Sequence, residues 1–228
     1  MVRVTLDQLR RVPLLEDPTE SWRPIQHIKV VDAIHATLRR NRKHVVSEQF
    51  YLYSNTTLLY AFIHTDWKLN SYCKVSFMLR TSNDRARGLN LIAAVRPNNT
   101  NTLLAHTETA QIARRHTPNF NLERETYLMF DLATIYTERL AYTLKMLKRT
   151  RLTADVKHEL FYKVFSTGVL STGDYTQTVN NLPDMIRAYG NTQWALYNTF
   201  SATAMRLRAQ GRYKALVKLG AFFGVYKY

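Results

Sequence analysis

Acidic side chains are what this chain runs short of. None follows Asp184, while Arg187, Arg206, Arg208, Arg212, Lys214, Lys218 and Lys227 do. Across 228 residues, 17 Asp and Glu face 32 Lys and Arg, a formal charge of +15 with a pI near 10.0. Self-repulsion of that size opposes compactness, so it points to a polyanionic partner that neutralises it. Cysteine is nearly missing as well. Cys73 alone excludes an internal disulfide and fits a reducing compartment. It stands in an alternating apolar row and reads as a small buried hydrophobe, not a catalytic thiol. With 7 Gly and 6 Pro, no flexible linker divides the chain. No segment reaches the about 18 uninterrupted apolar residues of a membrane span. The first eleven residues lack an apolar signal core. The expectation is a cytoplasmic protein with no membrane contact.

Familiar chemical motifs are missing too. Neither a G-x-x-x-x-G-K-[ST] loop nor a G-x-G-x-x-G turn occurs, so no phosphate-cradling loop is expected. His158-Glu159 opens like a zinc-protease helix, but Tyr162 stands where the second histidine belongs. The seven histidines show no paired ligand spacing, and one cysteine builds no zinc finger. Neither a metal nor any other cofactor is therefore expected. Asp66 and Asp84 sit near strand ends, where carboxylates can hold magnesium in nucleases. Asp84 lies in a good turn sequence, Ser82-Asn83-Asp84-Arg85, and Asp66 precedes Trp67 in an expected loop, so turn formation is the stronger reading for both.

What the chain does have is core-forming material, with 46% hydrophobic and 12% aromatic residues. The periodicity predicts one α+β domain over residues 1–228. Residues 1–26 read as an irregular lead-in, 27–120 as a helix plus sheet, and 121–228 as helical. A helix is expected from His27 to Asn41, where Val31, Ile34 and Leu38 recur at helical spacing. Strands are expected over Val45–Tyr53, Thr57–His64, Cys73–Arg80 and Leu89–Arg96, with Ser54-Asn55-Thr56 as a turn. Residues 101–108 would add a fifth strand. The sheet would be mainly antiparallel with one mixed, partly polar face. A long helix begins near Asn121 and ends at Lys145, Lys148, Arg149 and Arg151. Further helices are expected over Thr153–Ser166, Thr192–Gln210 and Arg212–Phe223, with 171–183 as a loop.

Binding a polyanion without reading its sequence needs cations for phosphates and flat rings for bases. The concentrated basic features are Arg39, Arg40, Arg42 and Lys43; Arg80, Arg85 and Arg87; Arg114 and Arg115; Lys148, Arg149 and Arg151; and Arg206, Arg208, Arg212, Lys214 and Lys218. Each cluster alone suits a solvated helix end, where cations meet the helix dipole. Their common sign favours a shared surface. Fourteen tyrosines are many for this length, and Tyr72, Tyr162 and Tyr213 each neighbour a lysine or arginine.

Several segments follow a familiar order: Arg23-Pro24-Ile25-Gln26-His27, Val46-Ser47-Glu48, Leu79-Arg80-Thr81-Ser82-Asn83-Asp84-Arg85, Arg114-Arg115-His116-Thr117 and Trp194-Ala195-Leu196-Tyr197-Asn198. In this order the chain resembles the phage/plasmid-like protein family, catalogued as domain of unknown function 932. Thr81 and Asn83 stand where that family usually has Asn and His, and Arg85 where it has Lys. The resemblance implies a mobile-element setting and a bacterial host cytoplasm. A helix, an antiparallel sheet and a long helix are also similar to the core of single-strand annealing proteins. The leading expectation is a non-catalytic nucleic-acid-binding protein favouring single-stranded DNA, in recombination or replication, with a homo-oligomer extending its site. The alternatives are a structural RNA-binding or virion-associated basic protein, and a metal-dependent nuclease using Asp66 or Asp84.

Overall fold

A computed structural model describes residues 1–14, 17–53, 56–84, 87–98, 100, 102–105 and 111–224. Strand β1 (Val2–Val4) precedes a short helix α1 (Leu6–Arg10), which opens on a reciprocal capping box between Thr5 and Gln8. The expected irregular lead-in is thus ordered over its first ten residues. Val2–Val4 pairs with Phe50–Leu52, a tertiary contact that three residues cannot announce by periodicity.

Helix α2 (His27–Arg40) leads to β2 (Val45–Tyr53), β3 (Leu58–Asn70), β4 (Cys73–Ser82) and β5 (Leu89–Pro97). These four strands form an antiparallel meander in chain order. Two short strands, β6 (Leu104–Ala105) and β7 (Gln111–Arg114), both pair with β5. Among the described residues the sheet thus has seven strands, not four or five. Ser54 and Asn55 of the expected turn, and residues 101 and 106–108 of the expected fifth strand, lie outside the described residues.

The long helix α3 (Leu122–Arg149) starts where expected, with the Asn121 side chain accepting from the Arg124 amide at 3.0 Å. Its 28 residues span about 42 Å. Then follow α4 (Ala154–Ser166), α5 (Tyr175–Tyr189), α6 (Gln193–Arg206) and α7 (Ala209–Phe223). Residues 171–183 are not a loop. A 3-10 turn at Thr172–Asp174 runs straight into α5. Thr178, Leu182 and Ile186 recur every four residues there, and Thr178 meets Thr203 of α6 at 3.0 Å. Pro183 lies exposed inside α5, so it marks no boundary. The expected helix 192–210 stops at Arg206, because Leu207 is extended.

Helices cover both faces of the sheet. On one face Phe50, Leu59, Ile63, Phe77, Leu79 and Leu91 pack with Val30, Val31, Ile34 and Leu38 of α2 and Met129 of α3. On the other, Tyr60, Phe62, Met78, Ile92 and Ala94 pack with Leu144 of α3, Trp194 and Phe200 of α6, and Leu216 and Leu219 of α7. Helix α3 therefore serves both cores. Gly220 lets α7 lie against β6, since a Cβ there would sit 1.4 Å from the Ala105 carbonyl oxygen. The expected mixed, partly polar face is the one that α6 and α7 cover. No described helix is long and apolar enough to cross a membrane.

Candidate nucleic-acid interface

The strand register sorts the expected cations into two groups. Arg80 pairs across β4–β3 with Tyr60, and Arg114 lies opposite Leu89, so both stand at the Ser82 end of the sheet. Exposed Arg87 and Arg115 flank them, and Arg85 lies outside the described residues. Arg39, Arg40, Arg42 and Lys43 stand at the opposite end. There His44 and Asp66 exchange backbone and side-chain bonds, and Lys43 lies 5.6 Å from the Trp67 ring. Lys148 joins that second group, its ammonium 5.4 Å from the Tyr72 ring and 5.9 Å from the Trp194 ring. Exposed Arg149 and Arg151 follow it.

Several of these cations have local duties. Arg40 pairs with Glu123 and bonds the Tyr127 hydroxyl, and Arg114 pairs with Glu125 at 3.1 Å. Lys218 donates to the Thr167 carbonyl at 3.4 Å. Arg206, Arg208 and Lys214 are exposed around the α6–α7 junction, whereas Arg80 and Arg212 are half-buried beside aromatic rings. Tyr213 is core, not a stacking platform. It is 4% exposed and donates to Asn90 Oδ1 at 2.6 Å.

A more pointed arrangement comes from residues that no basic cluster contained. Lys68 of β3 lies directly opposite Lys74 of β4, and Lys74 directly opposite Arg96 of β5. Directly opposed residues of antiparallel strands point to one face, and here that face is the α6–α7 face. Strand spacing of about 4.8 Å makes this a row of three positive charges about 10 Å long. Opposed like charges destabilise a sheet. No described carboxylate comes within 4 Å of Lys68, Lys74, Arg96, Lys148 or Arg212. Burial pushes the Arg96 guanidinium below its ordinary pKa. The partly exposed Tyr72 ring sits in the β3–β4 turn, where Asn98 caps the Tyr72 and Ser71 carbonyls at 3.0 and 2.7 Å. The signal was readable only as three isolated cations near strand ends, because their juxtaposition depends on register.

Three of the five segments that carried the family resemblance, 23–27, 79–84 and 114–117, meet through buried groups. Arg23 donates its amide to the His116 carbonyl at 2.9 Å, and Thr81 Oγ1 lies 3.3 Å from His116 Nε2. Asn83, fully buried, donates to the Pro13 carbonyl at 3.1 Å. Burial, with the nearby His27, holds His116 down to about 4. These groups pin the lead-in to the sheet end. Asp84 stands at this end, whereas Asp66 stands at the other, separated by roughly 25 Å of strand. They share no site. Among the described residues no group of three or more His, Cys, Asp or Glu could hold a metal ion. No family model, curated protein or solved structure matches this chain.

Proposed function

We propose that this is a non-catalytic protein that binds single-stranded nucleic acid, DNA foremost, along the Lys68–Lys74–Arg96 row. The observation that supports this reading is the row itself: three cations opposed across adjacent strands with no described carboxylate within 4 Å. A phosphate chain crossing the strands relieves that repulsion, and Lys148 adds a fourth cation beside the row. Tyr72, at the end of the row, offers its ring face to a base. The half-buried cations cost folding energy, and the bound polyanion offsets it. A mobile-element setting rests on the resemblance of residues 23–27, 46–48, 79–85, 114–117 and 194–198, and an annealing role on the likeness in element order.

Fluorescence anisotropy with labelled oligothymidylate, oligouridylate and a duplex tests the reading. Four phosphate contacts predict that log affinity falls against log salt with a slope of about −3. The single-stranded DNA probe should bind tightest. Absence of any complex at low ionic strength ends the proposal, and an equal or higher affinity for the RNA probe moves it to RNA.

A further inference from the structure

Beside the cationic row, and sharing only Arg96 with it, the same sheet face holds a cavity of about 120 Å³. A single water needs only about 10–15 Å³ of such space. Ser47 and Gln49 of β2, His64 of β3, Arg96 of β5 and Arg212 of α7 supply its polar wall, with Phe62, Leu103 and Met205 as the apolar remainder. Its lining includes no carboxylate.

The polar wall is prearranged. Arg212 lies 5.6 Å from the Tyr51 ring and 5.4 Å from the Phe62 ring, which fixes the plane of its guanidinium. One Arg212 N–H donates to Gln49 Oε1 at 3.3 Å, and the Tyr51 hydroxyl donates to the same oxygen at 2.9 Å. That orients the Gln49 amide and leaves its N–H groups as further donors. His64 Nδ1 is held 3.0 Å from Ser76 Oγ. Burial and the adjacent Arg96 charge keep the imidazole neutral, with its pKa at about 4. Most tellingly, Nε of Arg96 and Nε of Arg212 are both buried without a hydrogen-bond partner. Buried donors left unbonded are costly, and two guanidinium groups sharing a cavity repel. A compact dianion with several acceptor oxygens, bonding the outer guanidinium N–H groups, relieves the repulsion.

We propose that the cavity between β2, β3, β5 and α7 is a binding site for a phosphate monoester, held by Arg96 and Arg212 with Gln49 and Ser47 donating. Guanidinium groups match phosphate oxygens in pairs, and a monoester presents three such oxygens where a diester presents two. The monoester could come from a strand terminus or from a free small phosphate.

Thermal unfolding of the full chain in phosphate, against sodium chloride at equal ionic strength, reads the site directly. Phosphate a hundredfold above its Kd should raise Tm by about 5 °C. Arg212→Gln and Ser47→Glu should each abolish the rise. Ser47 is exposed, so Ser47→Glu sets a carboxylate at the rim without disturbing the core. Lys68→Gln/Lys74→Gln, which adds no carboxylate opposite Arg96, should keep the rise while losing oligonucleotide affinity, which separates this site from the strand-binding row. Oligothymidylates with a terminal phosphate binding about tenfold tighter than their hydroxyl forms would name the strand end as the source. A thermal rise without that preference would name a free monoester. No rise in wild type beyond the chloride control overturns the proposal.

Discussion

The two faces of the sheet differ sharply in what they bury. Beneath α2 and the first half of α3, strand positions alternate Phe50, Leu59, Ile63, Phe77, Leu79 and Leu91, an apolar set that needs nothing further. Beneath α6 and α7 the same strands carry His64, Ser76, Arg80, Asn90 and Arg96 among the apolar residues, and three of the arginine Nε atoms there have no partner. Packing alone never demands such groups, since replacing them with hydrophobes of similar size usually stabilises a fold. One face is built for stability; the other gives up some stability for a positive, donor-rich lining. Function is therefore sought on the second face.

Acidification should have the largest effect on this contrast. His27, His64 and His116 are buried with lowered pKa values, the last two to about 4, whereas the unfolded chain titrates near 6.5. The unfolded state binds protons first, so stability is full above pH 6.5 and falls as pH drops towards 4. The loss is at most about 1.4 kcal/mol per pH unit for each histidine. Urea melts across that range should show the loss, and His64→Gln should remove only the share of the α6–α7 face. An unchanged profile in that variant would mean the face is wetter than described. Next, Phe77→Ala should cost about 4 kcal/mol in the same melts and leave oligonucleotide affinity of the folded protein unaltered. Lys68→Gln/Lys74→Gln should do the converse: affinity about 100-fold weaker, equal to about 2.7 kcal/mol, with Tm not lowered because the opposed charges are gone. If either variant moved both readouts equally, the faces would not divide the labour. Smallest, Arg96→Met should stabilise the free protein by up to about 1 kcal/mol, because Arg96 is only partly buried.

Much of the architecture was legible along the chain. Asn121 and Thr153 announce α3 and α4 as capping residues, and their side chains accept from the amides three residues on. The strand cores read cleanly from the alternation at Cys73–Leu79 and Leu89–Val95. Helix α5 was not legible, because Pro183 and the threonines imitate a loop until Leu182 finds α6. Strands β1 and β7 are too short to carry a period, and exist because neighbours offer open edges. The basic runs drew attention by local density, yet Arg40 and Arg114 turn out to be paired with Glu123 and Glu125.

Residue sums and local patterning along the chain determined a large positive charge, a substantial core and an α+β order of elements, since each depends on simple totals or on residues near one another in sequence. Only the tertiary structure decided which cations stand together. Lys68, Lys74 and Arg96 become neighbours through strand register, and Arg212 reaches Gln49 only because α7 folds back across the sheet. Electrostatic energy depends on distance in space, and that distance is set by pairing and packing.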